Sequence, residues 1–365
     1  MESVNVLIIG AGAVGLAIGN ELSKEYSEVV VVDKENSFGK HTSSRNSEVI
    51  HGGLYYPSNT LKAGLCVQGN PLLYTFLQAH EVPFSNTGKV IVATNSDEIK
   101  VIEKYFQQGN ANGCKGLKLL TAEEVYAMEP IVKCVAGLYV PTSGIFNTHM
   151  YMQKLCSLIE AQDGFLVYGM EVTGIKKAND KYRVSFSNGE IFETNYLINS
   201  AGLWSDAIAE MVGIDTVTNK LKLFLCKGEY YKTTKLKNIK HLIYPVADPN
   251  GAFLGIHLTI NLNGEVRFGP NAYYTDRIDY KFDEEYFEEF YKSVNRYLDI
   301  DRDDLVPDDT GLRPKLQGPE DCIKDFYIKE ESDRGLPNMI NLIGIESPGL
   351  TASLAIAKYV KSIMI

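Results

Sequence analysis

The chain has 365 residues, of which 22% are charged and 45% belong to the hydrophobic class. This balance is typical of a globular protein and excludes disorder, collagen-like repeats and a coiled coil. Asp and Glu outnumber Lys and Arg by 46 to 36, so the formal net charge is −10. Because an acidic surface repels nucleic acid and anionic lipid, we expect no nucleic-acid partner, and any anionic ligand needs a local group of positive charges.

The cysteines and the apolar runs indicate the cellular compartment in which the chain is expected. The six cysteines, at positions 66, 114, 134, 156, 226 and 322, form no CxxC pair, which favours reduced thiols and no metal site. No basic region precedes the first apolar run, and no run reaches the ~20 residues that a membrane-spanning helix needs. We therefore expect a soluble, cytoplasmic chain without a transmembrane segment; peripheral contact with a membrane stays open.

The first residues have the pattern of a βαβ unit. Residues 4–9 form an apolar run typical of a buried parallel strand, and a helical stretch and a second apolar run at 29–32 follow. Gly10, Gly12 and Gly15 form GxGxxG at the turn, and Asp33 ends the second strand. This arrangement predicts dinucleotide binding, with the pyrophosphate at the helix N-terminus and the ribose on Asp33. A glycine-rich turn without a ligand is the alternative.

The rest of the chain alternates between helical and strand patterns. Thr121 and Glu124 form a capping box, and Asn147 or Thr148 can begin a helix. Predicted helices cover 61–80, the stretch after 121, 148–161, 281–296 and the C-terminal residues after 349. Predicted strands cover 89–93, 137–140, the region around 172, 182–186, 191–192, 196–199, 221–225, 229–232, 266–269 and 339–343.

These elements predict an α/β fold in which a Rossmann-like dinucleotide domain is assembled from three segments and a β-rich α+β substrate domain is inserted. The expected boundaries are 1–80, 145–218 and 322–365 for the first domain, and 81–144 and 219–321 for the second. A nicotinamide enzyme usually completes its cofactor site within the first ~150 residues. The later turns at Ala201-Gly202 and Gly349-Leu350-Thr351 therefore favour FAD.

Five stretches resemble a known family. They are 42–56 (TSSRNSEVIHGGLYY), 65–69 (LCVQG), 88–93 (GKVIVA), 253–259 (FLGIHLT) and 269–272 (GPNA). The chain resembles FAD oxidoreductases of the D-amino-acid oxidase type and, within them, the L-2-hydroxyglutarate dehydrogenase/oxidase family. The first stretch is also similar to the flavin-linked glycerol-3-phosphate dehydrogenases. That family places an Arg before the tyrosine where this chain has Tyr55-Tyr56, which counts against a phosphate substrate.

The resemblance implies which residues hold FAD. Asp33 stands where such proteins more often have Glu, Val172 would present its backbone to the adenine, and Trp204 would close over the second turn. The free N–H groups after Gly349 would stabilise negative charge on the reduced flavin. The full set of expected FAD contacts is Gly10, Gly12, Ala13, Val14, Gly15, Asp33, Lys34, Thr42, Ser43, Ser44, Arg45, Asn46, Val172, Ala201, Gly202, Trp204, Gly349, Leu350 and Thr351.

The resemblance also implies oxidation of L-2-hydroxyglutarate or a close 2-hydroxy acid. Hydride would go to flavin N5, and a base near neutral pKa, His51 or alternatively His257, would take the hydroxyl proton. Arg313 would fork onto the substrate carboxylate, with an ion pair to Asp308 or Asp309 as its alternative role. Lys227, Lys62 and Lys315 are candidates for a second anchor.

Other functions stay open from the sequence. They are a flavin-linked dehydrogenase for glycerol 3-phosphate or an amino acid, and a non-catalytic flavin-binding protein. The electron acceptor, whether oxygen, a quinone or a carrier protein, stays open as well. So does covalent attachment of the flavin, for which His41 is close in sequence to the expected site.

Overall fold

The computed structural model describes residues 2–247 and 255–364. In these residues the strands are β1 (Glu2–Ile9), β2 (Val29–Asp33), β3 (Val49–Ile50), β4 (Phe84–Ser85), β5 (Lys89–Ala93), β6 (Lys118–Thr121), β7 (Ala136–Val140), β8 (Gly144–Phe146), β9 (Phe165–Tyr168), β10 (Val172–Ala178), β11 (Lys181–Phe186), β12 (Ile191–Asn199), β13 (Phe224–Thr233), β14 (Leu242–Pro245), β15 (Leu258–Ile260), β16 (Val266–Phe268), β17 (Tyr273–Thr275), β18 (Val306–Lys315), β19 (Tyr327–Glu331) and β20 (Leu336–Ile343). The helices are α1 (Ala13–Leu22), α2 (Leu61–Ala79), α3 (Ser96–Asn112), α4 (Ala122–Met128), α5 (Thr148–Glu160), α6 (Ser205–Met211), α7 (Phe287–Asn295) and α8 (Gly349–Ser362).

The first sheet has the parallel centre that the opening apolar runs predict. Its main path is β10-β11-β12-β1-β2-β9, and β20 extends it by pairing in parallel with the last residues of β12. β1 pairs in parallel with both β12 and β2. Buried side chains on one face of this sheet pack with α1, α5 and α8. The carboxyl ends of β1, β12 and β20 therefore meet at one edge of the sheet, where open α/β folds bind ligands.

The second sheet is mixed and comes from two separate stretches of the chain. Its order is β17-β13-β16-β15-β14-β5-β7-β6, with β18 also paired to β13. β5 and β14 are parallel, although about 150 residues of other structure separate them in sequence, and they join the two stretches into one sheet. A large apolar cluster between this sheet, α3 and α7 holds it together.

The sheets match most of the expected elements and differ in a few. The capping box of Thr121 and Glu124 is present, and Asn147 caps α5. The sequence patterns missed α3, which Asn95 caps, α6, and several strands, among them β6, β9, β18 and β19. The expected strand at 221–225 begins only at Phe224, and the expected helix at 281–296 is a 3-10 turn, Glu284–Tyr286, followed by α7.

The two sheets suggest how the chain is divided. Strands of the first sheet lie within 2–33, 165–199 and 327–343, and those of the second within 89–140 and 224–315. We propose on this basis the division into segments 1–80, 145–218 and 322–365 for one domain and 81–144 and 219–321 for the other. In a small third sheet, β3-β8-β4, the strands β4 and β8 lie at boundaries between these segments, and β3 lies within the first segment.

Candidate active site

One large cavity, of about 820 Å³, is lined by residues of both sheets. Its size is in the range of cofactor and ligand sites. Most of the residues expected to bind FAD or substrate reach its wall: Gly10, Gly12, Ala13, Val14, Asp33, Lys34, Thr42, Ser43, Arg45, Asn46, His51, Lys62, Val172, Ala201, Gly202, Trp204, His257, Arg313, Lys315, Gly349 and Leu350. Gly15, Ser44, Lys227 and Thr351 are not among the lining residues.

The glycine turn after β1 has no room for side chains. Gly10 has φ +107°, and a Cβ there would lie 2.5 Å from the carbonyl oxygen of Ser200. A Cβ on Gly15 would lie 1.9 Å from the oxygen of Gly10, so Gly15 acts by packing α1 against the turn. Ser43 Oγ accepts a hydrogen bond from Ala13 N at 3.0 Å. The turn therefore presents bare backbone and a helix N-terminus to the cavity, which fits the pyrophosphate of FAD.

Asp33 is held firmly at the end of β2. Its Oδ2 accepts from Ala11 N at 2.7 Å and its Oδ1 from Glu35 N at 2.9 Å. These bonds fix the carboxylate beside the glycine turn while each oxygen keeps a further lone pair. The position suits a contact with the ribose of a dinucleotide.

Side-chain contacts with β18 hold the polar segment 42–48 in place. Thr42 Oγ1 donates to the carbonyl of Leu312 at 2.9 Å, and Arg45 forms an ion pair with Asp309 at 2.7 Å. Asn46 Nδ2 donates to the carbonyl of Ser43 at 2.8 Å. Several side chains expected to touch FAD thus also hold this loop. The segment brings the glycine turn and β18 to one cavity.

The single tryptophan lies at the cavity wall beside Lys34 and His41. Lys34 Nζ lies 3.3 Å from the centroid of the Trp204 ring, and the His41 ring contacts it edge-on at 4.7 Å. His41 itself bonds Tyr280 through Nδ1 at 2.8 Å and Glu35 through Nε2 at 3.0 Å. Both ring nitrogens of His41 are therefore engaged with protein groups.

Because Trp204 is the only tryptophan and lines the cavity, its fluorescence should report on the cofactor. We expect tryptophan emission to rise when FAD is removed and to fall again when FAD is titrated back, since a nearby flavin absorbs the excitation energy. The measurement is emission of the holoprotein, the apoprotein and the reconstituted protein. Emission that is the same in all three would contradict this placement of Trp204.

The N-terminus of α8 faces the cavity. Gly349 and Leu350 line it, and no side chain caps the helix, so first-turn N–H groups and the positive end of the helix dipole are available to an anion. Thr351 points the other way: its Oγ1 accepts from the backbone N–H of His51 at 3.0 Å. Thr351 therefore acts by fixing His51 against the start of α8.

His51 lies at the cavity wall beside Ser347. Its Nε2 lies 3.3 Å from Ser347 Oγ, and its carbonyl accepts from Asn70 Nδ2 at 2.9 Å. Burial, together with the positive charge of Lys89 and with His257, holds the pKa of His51 well below its ordinary value. The imidazole is therefore neutral at pH 7, as a general base must be.

His257 lies on another wall of the same cavity. It is buried, and its ring stacks on that of Tyr244 with centroids 3.5 Å apart and planes 9° from parallel. The stretch 253–259 that carried the family resemblance is described only from residue 255, so Phe253 and Leu254 lie outside the described residues. This stacking restrains the plane of the His257 imidazole.

Arg313 presents an uncompensated positive charge. Its guanidinium donates to the carbonyl of Asn271 at 3.2 Å, and a Cβ on Gly228 would lie 2.8 Å from it. Asp309 pairs instead with Arg45, and Asp308 with Lys232 and Arg267. Among the described residues no carboxylate lies within ion-pair distance of Arg313.

Two of the three candidate lysines surround a buried carboxylate. Glu346 forms ion pairs with Lys62 at 2.9 Å and with Lys315 at 3.1 Å, all at the cavity wall. Burial raises the pKa of Glu346, but the two ammonium groups outweigh it, and the pKa is lowered overall. The cluster keeps one formal positive charge in excess.

Lys227 is placed away from the cavity. It lies on β13, and its ammonium pairs with buried Glu229 at 3.7 Å and donates to the carbonyl of Lys281. Its neighbours Cys226 and Gly228 line the cavity. Because side chains alternate along a strand, Lys227 points to the other face, and the expectation that it anchors substrate is not supported by its position.

Sequence reasoning missed three groups around this site. They are Glu346, Tyr244 and the buried lysine Lys89, whose Nζ lies 3.9 Å from the centroid of the Tyr244 ring. Glu346 directly precedes the Ser-Pro-Gly turn of α8, and that proximity was the one available signal. Lys89 and Tyr244 come together only through pairing of β5 with β14.

The fold and the site together define an oxidoreductase that binds FAD. Residues 5–363 match the family model described as FAD dependent oxidoreductase. The chain therefore belongs to the FAD dependent oxidoreductase family, FAD is its cofactor, and the expected α/β Rossmann-like fold is confirmed.

Individual relatives give finer comparisons. The chain is 37% identical to the mitochondrial L-2-hydroxyglutarate dehydrogenase of Arabidopsis thaliana, covering 98% of this chain and 83% of that protein. It is 31% identical to a glycerol 3-phosphate dehydrogenase of Caloramator mitchellensis, covering 99% and 73%. The dithionite-reduced L-alpha-glycerophosphate oxidase of Mycoplasma pneumoniae, solved with FAD bound, is 25% identical with a TM-score of 0.88, covering 100% and 95%. The resemblance to L-2-hydroxyglutarate dehydrogenases is confirmed.

The cellular location of the protein is less well defined than its family. In the described part of the chain no helix combines the length and the apolar character needed to cross a membrane. The Arabidopsis relative is named as mitochondrial, and the expected cytoplasmic location stays a prediction.

Proposed function

We propose that this protein oxidises L-2-hydroxyglutarate to 2-oxoglutarate. The observation that carries the proposal is the charge pattern of the cavity. Arg313, whose guanidinium has no carboxylate partner among the described residues, and the net-positive cluster of Lys62, Glu346 and Lys315 line the same cavity as neutral His51. A dicarboxylate with one hydroxyl group matches two cationic anchors and one base. The L-2-hydroxyglutarate dehydrogenase relatives support the same substrate.

The protein side chains supply binding and proton transfer. The glycine turn after β1, Asp33 and the start of α8 would hold FAD, which would supply hydride-accepting chemistry for the hydrogen on Cα of the substrate. Arg313 holds the C1 carboxylate and orients that carbon. His51 takes the proton of the 2-hydroxyl group, and the electron pair of the O–H bond forms the new carbonyl. One hydride and one proton thus leave the substrate, which balances the two-electron oxidation.

Lys315 is the better candidate of the two lysines for the distal carboxylate. Its side chain is 17% exposed whereas that of Lys62 is 5% exposed and more closely paired with Glu346. Removing Lys315 would cancel the excess positive charge of the cluster.

We expect Lys315→Met to raise the KM for L-2-hydroxyglutarate about 10- to 100-fold with a small change in kcat, since a hydrogen bond between charged groups contributes roughly 1.5–3 kcal/mol. Lys232→Met, which removes an exposed lysine paired with Asp308, is the control and should leave KM unchanged. Equal KM values for Lys315→Met and the wild type would remove Lys315 as an anchor.

The proposed substrate is tested by bleaching of the flavin. The purified holoenzyme is mixed without oxygen with L-2-hydroxyglutarate, D-2-hydroxyglutarate, L-lactate, L-glutamate or glycerol 3-phosphate, and loss of the oxidised flavin absorbance is followed. We expect rapid bleaching by L-2-hydroxyglutarate alone. Failure of that compound to bleach the flavin, while another one succeeds, would refute the proposal and identify the substrate class.

Glycerol 3-phosphate is the second candidate substrate. The similarity to a glycerol 3-phosphate dehydrogenase and to L-alpha-glycerophosphate oxidase favours it, and a phosphate dianion could occupy the cationic groups. Tyr55 and Tyr56, both at the cavity wall, supply no positive charge for a phosphate. Bleaching by glycerol 3-phosphate at a rate above that of L-2-hydroxyglutarate would favour this alternative.

A further inference from the structure

A buried asparagine on α2 contacts the backbone of the proposed base. Asn70 is 6% exposed and is not among the residues that line the cavity. Its Nδ2 donates to the carbonyl of His51 at 2.9 Å and to the carbonyl of Thr142 at 2.9 Å. Because carbonyl oxygens only accept, an amide nitrogen with two hydrogens is the group that fits between them. Asn70 thus joins the residue after β3 to the turn between β7 and β8.

The preceding peptide group of His51 is held from α8. The N–H of His51 donates to Oγ1 of the fully buried Thr351 at 3.0 Å. The peptide groups on both sides of the His51 Cα atom therefore each have a buried side-chain partner, one from α2 and one from α8. With both groups fixed, the direction of the Cα–Cβ bond is fixed as well, and with it the part of the cavity wall that the imidazole occupies.

α2 is itself fixed against the start of α8, so Asn70 is a rigid support. A Cβ on Gly69 would lie 2.5 Å from the carbonyl oxygen of Thr351, which means that the two helices touch backbone to backbone at this point. About two helical turns earlier on the same side of α2, Lys62 pairs with Glu346 at 2.9 Å, just before α8. These two contacts hold the side of α2 that carries Asn70 at a set distance from α8.

We propose that Asn70 is a positioning residue for the base: by donating to the carbonyl of His51 it holds the imidazole where it meets the hydroxyl group of the substrate. The stretch 65–69 leads directly into Asn70, and none of its residues lines the cavity, so Gly69 serves the same placement through the contact with α8. A misplacement of a reacting group by about 1 Å can cost ~10²-fold in rate. This inference rests on the proposed function in taking His51 as the base.

The first test removes both donors of Asn70 with little change in the size of the side chain. In FAD-loaded Asn70→Leu we expect the limiting rate of anaerobic flavin reduction by L-2-hydroxyglutarate to fall about 10- to 100-fold. The KM should stay near the wild-type value, because Arg313 and Lys315 are untouched. Asn70→Ser, whose hydroxyl donates only one hydrogen bond, is measured beside it and serves if Asn70→Leu does not retain FAD. A wild-type limiting rate in the FAD-loaded variants would overturn the proposal.

Tyr74 provides a matched control on the same helix. Its hydroxyl donates to the same carbonyl of Thr142, at 3.2 Å, and neither of its hydrogen bonds in the described structure goes to His51. Tyr74→Phe should therefore reduce its flavin at the wild-type rate. An equal loss of rate in Tyr74→Phe and Asn70→Leu would assign Asn70 to support of the turn at Thr142, against the proposal.

A double-mutant cycle separates positioning of the base from a general structural role. In His51→Ala the imidazole is absent, while the carbonyl that Asn70 contacts remains. Adding Asn70→Leu to this background should cause no further loss of rate, because the group on which Asn70 acts is already gone. Independent effects would instead multiply. A further loss of about tenfold or more in the double variant would refute the positioning role.

The placement of the imidazole is also measured without turnover. Histidine carrying ¹³C in the ring is incorporated into the holoenzyme, and the His51 signal is assigned by its loss in His51→Ala. We expect this signal to shift or broaden in Asn70→Leu and to keep its wild-type position in Tyr74→Phe. A wild-type signal in Asn70→Leu would contradict the proposal. This measurement remains decisive if L-2-hydroxyglutarate does not bleach the flavin, a result that would refute the proposed function alone.

Discussion

Replacing His51 by alanine is expected to slow reduction of the bound flavin by L-2-hydroxyglutarate about 10²- to 10⁴-fold, the usual contribution of a positioned base. The backbone N–H of His51 that bonds Thr351, and its carbonyl that accepts from Asn70, remain in the variant. The cavity should therefore keep its shape and FAD should stay bound. The measurement is stopped-flow bleaching without oxygen, with the flavin content checked from the visible spectrum.

The pH dependence gives the same experiment a second reading. Because the pKa of His51 is lowered well below 6.5, the imidazole stays unprotonated as pH falls through neutrality. The wild-type rate should therefore decline only at pH values below the usual histidine range. His51→Ala should have no such acid limb.

A matched control separates the base from a general loss of histidine. His80, the C-cap of α2, contacts the Phe76 ring at a tilted angle and is not among the residues that line the cavity. His80→Ala should reduce its flavin at the wild-type rate. Full activity of His51→Ala would remove His51 from the role of base. A loss of 10² or more in His257→Asn with little loss in His51→Ala would assign the proton transfer to His257.

Changing Arg313 to lysine is expected to raise the KM for the substrate about 10- to 100-fold although the positive charge is kept. The guanidinium can donate two parallel hydrogen bonds to one carboxylate, whereas an ammonium group acts as a point charge. Loss of one charge-assisted hydrogen bond corresponds to roughly 1.5–3 kcal/mol. Steady-state and anaerobic kinetics of both enzymes, with L-2-hydroxyglutarate varied, measure the change.

The geometry around Arg313 makes this variant interpretable. The wild-type guanidinium is held by the carbonyl of Asn271 and lies over Gly228, so a shorter lysine fits without a clash. Arg183→Lys is the control because Arg183 is an exposed residue paired with Glu193 on β12, and its KM should match the wild type. An unchanged KM in Arg313→Lys would end the assignment of Arg313 as carboxylate anchor.

Local sequence patterns were sufficient for the elements whose contacts are close in sequence. The apolar runs of β1 and β2, the glycine turn between them and the capping box of Thr121 depend on neighbours a few residues away. Asn95 capping α3 is the same kind of signal. That helix was missed because its mostly polar sequence gives only a narrow apolar stripe.

The net charge of the chain bears on how an anionic substrate is bound. A net charge of −10 requires that an anionic substrate be bound by local cations. The sequence indicated Arg313 for one carboxylate and left Lys62, Lys227 and Lys315 as candidates for a second anchor. In the folded protein, the ion pairs that these residues form or lack distinguish the candidates from one another. Lys227 forms an ion pair with Glu229, and Lys62 and Lys315 both form ion pairs with Glu346. Among the described residues, no carboxylate lies within ion-pair distance of Arg313.

The sequence by itself therefore determined the class of fold, the cofactor and the short list of residues that could hold FAD and substrate, because these depend on local patterns and family resemblance. Only the tertiary structure decided which of the candidates share the cavity. Pairing of β5 with β14 sets Lys89 behind Tyr244 and His257, and the start of α8 meets His51 across 300 residues of sequence. Contacts of that kind come from strand register and helix packing, which no local pattern specifies.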